Sequence, residues 1–337
     1  MKKIKNTQKT NFLKRFFIKL CRLCGFEIID QSNFNSPTLG KSLNETLSVQ
    51  GNKSITIPMG QINIKNKITS LKIILRTCTS ELIMDQNKRR IFNENKNEYT
   101  FRTLRSLIKS INKASLEFKN VKFDLIVTDT NSSKEDIEKI KKILNRSNIK
   151  NKFKSINLED FKEKIKPGYS KAKFSNMANF YSSLMIAKKD DADIIYFVED
   201  DYLHSEHSII EMIFAYEKLS TIFSKDLILL PADYPYLYSK DDATKIYLGE
   251  KYHWRLVSES LVTFMTSRKI IEENYNSLEK MGIEWIDPWE KPLHKIYNSY
   301  PCLSPIPSLA IHCANINSIF GVSPFINLKK LWDINEN

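Results

Sequence analysis

The sequence predicts an α/β protein built on a mostly parallel sheet, and three features carry that expectation. Runs rich in β-branched residues alternate with runs of helical periodicity between residues 71 and 198, the signature of βαβ units rather than of hairpins. One run, Ile194-Ile195-Tyr196-Phe197-Val198, is apolar at every position and suits a strand covered on both faces. Three acids follow it at once, Glu199-Asp200-Asp201, at the strand end where open α/β sheets bind their ligands.

The elements follow in order. Residues 71–75 read as the first strand, and residues 99–118 as a helix with Phe101, Leu104, Leu107, Ile108 and Ile111 on one face. Residues 123–128 are the second strand. Ser133 opens a helix through residue 144 by its Ser133-x-x-Asp136 spacing. Residues 153–157 suit a third strand, 175–189 a helix, and 194–198 the strand that ends in acids. The second half changes character: a helix at 207–219, a strand at 227–230, and an aromatic loop from Asp233 to Tyr238. A strand at 261–265, a helix at 267–278, the run from Ile283 to Pro292, a short helix and a strand at 308–311 complete it. The expected division is an N-terminal helix (1–30), a linker or edge hairpin (31–70), a main domain (71–323) and a C-terminal tail (324–337).

Composition narrows the partners. The net charge of +13 over 337 residues favours anionic ones, such as phosphate-bearing substrates or a membrane surface. No zinc-finger spacing or RNA-recognition run accompanies that charge, so nucleic acid is not expected as a partner. Cys21, Cys24, Cys78, Cys302 and Cys313 form no paired framework and suit a reducing cytosol. Cys21-x-x-Cys24 has no second ligand pair for zinc. No stretch reaches the ~20 apolar residues of a spanning helix. Residues 11–26 mix Phe12, Phe16, Leu20 and Leu23 with Lys14, Arg15, Lys19 and Arg22. Such a basic amphipathic helix either lies on an anionic bilayer or docks on protein. Charges interrupt its apolar run, and a cleaved signal peptide does not fit.

Adjacent carboxylates repel and resist burial unless positive charge sits among them. A hard divalent cation completed by phosphate oxygens is one solution; an acidic turn capping the next helix is the plainer alternative. Asp191-Ala192-Asp193, at the amino end of the same strand, faces away from the ligand edge and reads as a solvated turn. The segment Glu199-Asp200-Asp201 resembles the acidic, DxD-type metal motif of GT-A nucleotide-sugar glycosyltransferases, family 2-like. The resemblance spans residues 71–323 and implies a GT-A fold: a mostly parallel, Rossmann-like sheet with a mixed acceptor-side half.

The resemblance also implies roles. Arg76, Asp129, Glu199 and Asp200 would hold the nucleotide: Asp129 by accepting from base or ribose, Arg76 by reaching a phosphate. Arg76 departs from the small or proline residue often found there. Asp201 would ligate Mn2+ or Mg2+, and His312 would be the second protein ligand, with Cys313 turned into the core. The general base would lie in residues 284–290, Asp287 before Glu290, with Trp285 and Trp289 stacking on sugar. Tyr234, Tyr236, Tyr238, His253, Trp254 and Arg255 are further candidates for sugar contacts, or form an aromatic lid. The function implied is metal-dependent transfer of a sugar from a nucleotide-diphosphate donor to a glycan or lipid-linked acceptor in surface polysaccharide synthesis. Its expected place is the cytoplasm, peripheral on the inner face of the membrane through residues 11–26. Two alternatives stay open. A nucleotidyltransferase would carry a Gly-rich loop after the first strand, and residues 76–80 have no glycine. A non-catalytic module for anionic polymers would ignore both metal and changes at Asp201.

Overall fold

A computed structural model of the chain describes residues 12–25, 53–56, 60–80, 90–239, 244–313 and 326–336. Two compact units emerge, Met1–Asn63 and Ile64–Asn337. In the first, α1 (Phe12–Leu23) carries the apolar and basic run. Its Phe12, Leu13, Phe16, Phe17, Leu20 and Leu23 are all exposed. Strands β1 (Lys53–Thr56) and β2 (Gly60–Asn63) pair antiparallel in a two-stranded sheet of their own. Residues 31–52 and 57–59 of the expected linker, and residues 1–11 and 26–30 of the expected N-terminal segment, lie outside the described residues.

The second unit begins with the alternation read from sequence: β3 (Ser70–Thr77), α2 (Lys96–Glu117), β4 (Lys122–Asp129), α3 (Lys134–Asn145), β5 (Lys150–Ser155), α4 (Lys171–Lys189) and β6 (Ile194–Glu199). The five apolar residues of the α2 face are all buried. The Ser133 hydroxyl caps α3 by accepting from the Asp136 amide. Lys150, Lys152 and Lys154 alternate outward along β5, and charged residues of this kind protect a sheet edge from further pairing.

Past the acids come β7 (Tyr202–His204), α5 (Ser208–Phe223), β8 (Ile228–Leu229), β9 (Ile246–Leu248), β10 (His253–Leu256) and β11 (Phe264–Ser267). Then α6 (Arg268–Glu273), α7 (Tyr275–Ile283), α8 (Lys291–Ile296), β12 (Cys302–Ile306), β13 (Ala310–His312) and α9 (Leu328–Asp333) follow. Among the described residues the central sheet has nine strands in the order β5-β4-β3-β6-β11-β8-β12-β10-β9. The first four are parallel. β11 then runs antiparallel between β6 and β8, and β12 returns parallel to β8. The sheet is therefore Rossmann-like on one side and mixed on the other. One apolar layer covers it through α2, α3 and α5. The other includes Phe180 and Leu184 of α4 and the buried residues of α6–α8.

Three local differences from the sequence reading have physical causes. The helix expected at 267–278 is two helices, because the Asn274 side-chain amide donates to the Ile270 carbonyl and ends α6. The single late strand is two, β12 in the sheet and β13 outside it; Pro305 and Pro307 disguised the first, since proline lacks the ladder donor. The C-terminal segment is packed rather than trailing. Trp332 of α9 is 5% exposed, stacks on Phe92 at 4.1 Å, and lies under the Arg102 guanidinium at 4.3 Å.

Candidate active site

The register of the parallel strands assembles the site. Arg76 on β3 is the lateral partner of Glu199 on β6, so their side chains leave the sheet on the same face. They meet at 3.0 Å, Arg76 3% and Glu199 25% exposed. The other end of the Arg76 fork donates to Asn176 Oδ1 at 3.1 Å, and the guanidinium sits 5.4 Å from the Phe180 ring and 5.9 Å from Trp289. Burial pushes the Glu199 carboxyl up, and the Arg76 charge opposes that shift. Arg76 is thus engaged with Glu199 rather than extended into the cleft.

Strand alternation sends the next pair to the opposite face. Thr77 and Asp129 are register partners, and the Thr77 hydroxyl donates to Asp129 at 2.7 Å. The Ser132 hydroxyl and amide also donate to Asp129, which is 1% exposed. Burial raises its pKa against these hydrogen bonds. A carboxylate so engaged has little left to offer a base or ribose. The structure therefore ties Asp129 into the loop after β4 instead of presenting it.

Asp200 is similarly bound. Its Oδ2 accepts from the Cys78 amide at 3.1 Å and the Thr100 hydroxyl at 2.8 Å, which fastens the acidic turn to the end of β3 and to α2. Asp201 takes another route. β7 and β13 form a separate antiparallel ribbon in which Tyr202 faces His312, and the Cys313 amide extends it by donating to the Asp201 carbonyl at 2.7 Å. His312 stacks on Tyr202 with ring centroids 4.7 Å apart. Its Nε2 is thereby set 3.2 Å from Asp201 Oδ2, the two side chains 17% and 16% exposed. Burial alone would lower the His312 pKa, but the Asp201 charge and hydrogen bond outweigh it, and Glu199 and Glu290 add to the upward shift. Burial alone would likewise raise Asp201; the His312 charge and hydrogen bond outweigh it, with Lys96 and Arg90 contributing, and hold its carboxyl low. Cys313 is fully buried, as expected from sequence.

The two candidate bases part company. Asp287 lies on an exposed turn. Glu290, half-buried at the start of α8, feels the charges of Glu199, Arg76 and Asp287. Burial first, then its acidic neighbours, push the Glu290 carboxyl up to about 7. Trp285 and Trp289 do not offer free faces to a sugar: they stack on each other at 5.2 Å. Trp289 also bonds the Met281 carbonyl, and the Lys173 ammonium lies over Trp285 at 4.6 Å. Of the aromatic candidates, Tyr234 is buried against the Tyr202 hydroxyl. Trp254 is buried beside Glu211, and Arg255 is paired with Asp233. Tyr236 and Tyr238 remain exposed, at 40% and 57%.

The cleft beside the acids is lined by Arg76, Thr77, Cys78, Thr130 and the three acids, and also by Arg90, Lys96, Tyr99, Ala172, Asn176 and Asn179. Sequence reasoning missed Arg90, Lys96, Asn176 and Asn179. The asparagines had a signal, two amides inside a helix otherwise packed on the sheet. Asn179 donates to the Thr77 and Thr128 carbonyls and accepts from the Thr128 hydroxyl. Arg90 and Lys96 had none. Their segment is held by α9: Trp332 stacks on Phe92, and the Tyr99 hydroxyl bridges the Phe92 amide and carbonyl. Asp193, at the far end of β6, accepts from Thr69 and Ser70 and belongs to the fold.

No protein family's sequence profile matches the chain, and no curated protein matches it. Among solved structures it resembles S. aureus TarS, with 15% identity over 61% of this chain and 29% of that one, at a TM-score of 0.34. It also resembles the galactosyltransferase LgtC solved with donor and acceptor sugar analogs, with 11% identity over 69% of this chain and 72% of that one, again at 0.34. A third likeness is to a nucleoside-diphosphate-sugar pyrophosphorylase from Vibrio cholerae, 10% identical over 74% of this chain and 98% of that one, at 0.34. The chain thus spans less than a third of TarS. Likeness at this level carries no argument about the residues of the site. The fold is GT-A-like on its own topology: parallel β5-β4-β3-β6, an antiparallel β11, and the acids at the carboxyl end of β6.

One prediction follows from Glu290. Its folded-state pKa lies above the ordinary value of 4.5, so the folded protein holds a proton that the unfolded chain releases, and stability falls as pH rises from about 4.5 to about 7. Glu290→Gln removes that loss. Denaturant unfolding should show the variant more stable than wild type by about 1–2 kcal/mol at pH 8, after allowance for solvent screening, with the gap closing toward pH 4. A gap that does not change with pH would contradict the assignment.

Proposed function

We propose that the protein is a metal-dependent glycosyltransferase that moves a sugar from a nucleotide-diphosphate donor to a glycan or lipid-linked acceptor in surface polysaccharide synthesis. The observation that carries the reading is the meeting of Asp201 and His312 at 3.2 Å at the carboxyl edge of the parallel strands. Two adjacent ligands of an octahedral cation with bonds of about 2.1 Å lie about 3.0 Å apart, so this spacing fits Mg2+ or Mn2+. Among the described residues no group of three or more metal-binding side chains converges. A two-residue donor set leaves most of the coordination sphere to phosphate oxygens and water, as suits a cation that arrives with a nucleotide. Asp201 and His312 would hold it, and when bound it would supply Lewis-acid neutralisation of the departing diphosphate.

The chain's own groups have separable tasks. Glu199 and Asp200, fixed by Arg76 and by Cys78 and Thr100, give the donor a rigid floor. Glu290 is the better base of the two candidates, because a pKa of about 7 keeps it able both to take the acceptor hydroxyl's proton and to release it. Activity should therefore rise with pH through about 7 as Glu290 ionises. Tyr236 and Tyr238 are the exposed rings on the acceptor side. Helix α1, with six exposed apolar residues and four basic residues but no acid in its sequence, would rest on an anionic bilayer. No described helix is long and apolar enough to cross one.

Two measurements test this reading. Thermal melts against a panel of nucleoside diphosphates with Mn2+ should give a shift with one base, reduced but not abolished by EDTA and by Asp201→Asn. A shift indifferent to both would sink the metal role, and no shift with any nucleotide would favour a non-catalytic module. Vesicle flotation should recover the full chain with anionic but not neutral liposomes, and Phe16→Glu with Phe17→Glu should release it. Equal recovery of that double variant would rule out the helix as the contact.

A further inference from the structure

The acids of the cleft are each accounted for by groups other than two of its cations. Glu199 pairs with Arg76, Asp200 accepts from Cys78 and Thr100, and Asp201 pairs with His312. Arg90 and Lys96 line the same cleft, and among the described residues neither forms an ion pair with a carboxylate. The Arg90 guanidinium lies 5.0 Å from the Tyr99 ring, and its Nη1 is buried without a hydrogen-bond partner among the described residues. The Lys96 ammonium donates to the Cys78 carbonyl, which leaves it further donors. Arg76, 4% exposed, has an equally unpartnered Nε at the cleft wall. A buried guanidinium nitrogen with no partner is costly unless a ligand completes it.

We propose that Arg90 and Lys96 form an anion subsite that grips the donor's diphosphate without help from a metal ion. The inference rests on the glycosyltransferase reading of this cleft and adds two residues to it. Planar Arg90 suits a bidentate contact with one phosphate, and Lys96 acts as a point charge on the same group. Both line the same cleft as Asp201, so the subsite lies beside the acid proposed to carry the cation. Charge developing on the departing diphosphate would then be shared between the cation and these side chains. The consequence is specific: diphosphate binding should weaken, but survive, when metal is removed.

Inorganic pyrophosphate is the probe, titrated calorimetrically into the full chain in EDTA and, separately, nucleoside diphosphates with Mn2+. Wild type should bind pyrophosphate in EDTA. Arg90→Gln and Lys96→Gln should each weaken it about tenfold or more, and Arg90→Lys should recover part of the loss. Unliganded melting temperatures check that the variants fold; Arg90→Lys, which keeps the charge, serves if the others do not. Equal affinity in wild type and variants would overturn the inference and leave the proposed function standing. So would nucleoside diphosphate binding with Mn2+ but no pyrophosphate binding in EDTA. If neither pyrophosphate nor any nucleoside diphosphate binds under either condition, the donor-site reading fails and the subsite with it.

Discussion

The Arg76–Glu199 pair is the interaction on which the site depends. Adjacent parallel strands set the two residues side by side, and Phe180 and Trp289 close around the guanidinium. A charge buried this deeply tolerates no loss of its partner; breaking such a pair costs about 3–5 kcal/mol in proteins generally. With Glu199 neutralised in place, the next two acids can follow at the strand end without mutual repulsion unravelling the turn. Asp200 is then bound to the amide of Cys78 and the hydroxyl of Thr100, and Asp201 alone is left to face His312. Three neighbouring carboxylates thus acquire three different environments, and only one is matched with a histidine.

Topology does the rest. The antiparallel β11 pairs with β6 along its length, and Thr263, just before β11, touches the Glu199 amide and carboxylate. The β7–β13 ribbon lies outside the main sheet and exists to bring a late residue, His312, to an early one, Asp201. Helix α8 places Glu290 within electrostatic reach of both Glu199 and His312. The C-terminal helix, through Trp332 and Phe92, steadies the segment that carries Arg90 and Lys96. Groups from both ends of the second unit therefore converge on one edge of its sheet.

The parallel half of the fold was legible because its inner strands are largely apolar and its helices periodic. The α2 face, the Ser133 cap and the acid-terminated strand all follow from local rules of burial and capping. The mixed half was harder to read. β9 and β10 are short and partly exposed, and β12 contains a proline within the strand. At the site, the meeting of Asp201 with His312 was expected only by resemblance. The internal use of Asp129 was not expected, because it depends on which face a strand residue takes and on hydroxyls at Thr77 and Ser132. The self-stacking of Trp285 and Trp289 is a tertiary fact that exposure-based reasoning about aromatic residues cannot supply. Arg90 and Lys96 look like ordinary loop and helix-start residues until the fold sets them against the acids.

The measurement that tests the central claim most directly is anomalous scattering from crystals grown with Mn2+ and the nucleoside diphosphate that stabilises the protein best. The account predicts one manganese peak at about 2.1 Å from both Asp201 Oδ2 and His312 Nε2, with diphosphate oxygens completing its shell. A nucleotide bound in the cleft with no manganese at this pair, or manganese bound elsewhere, would contradict it.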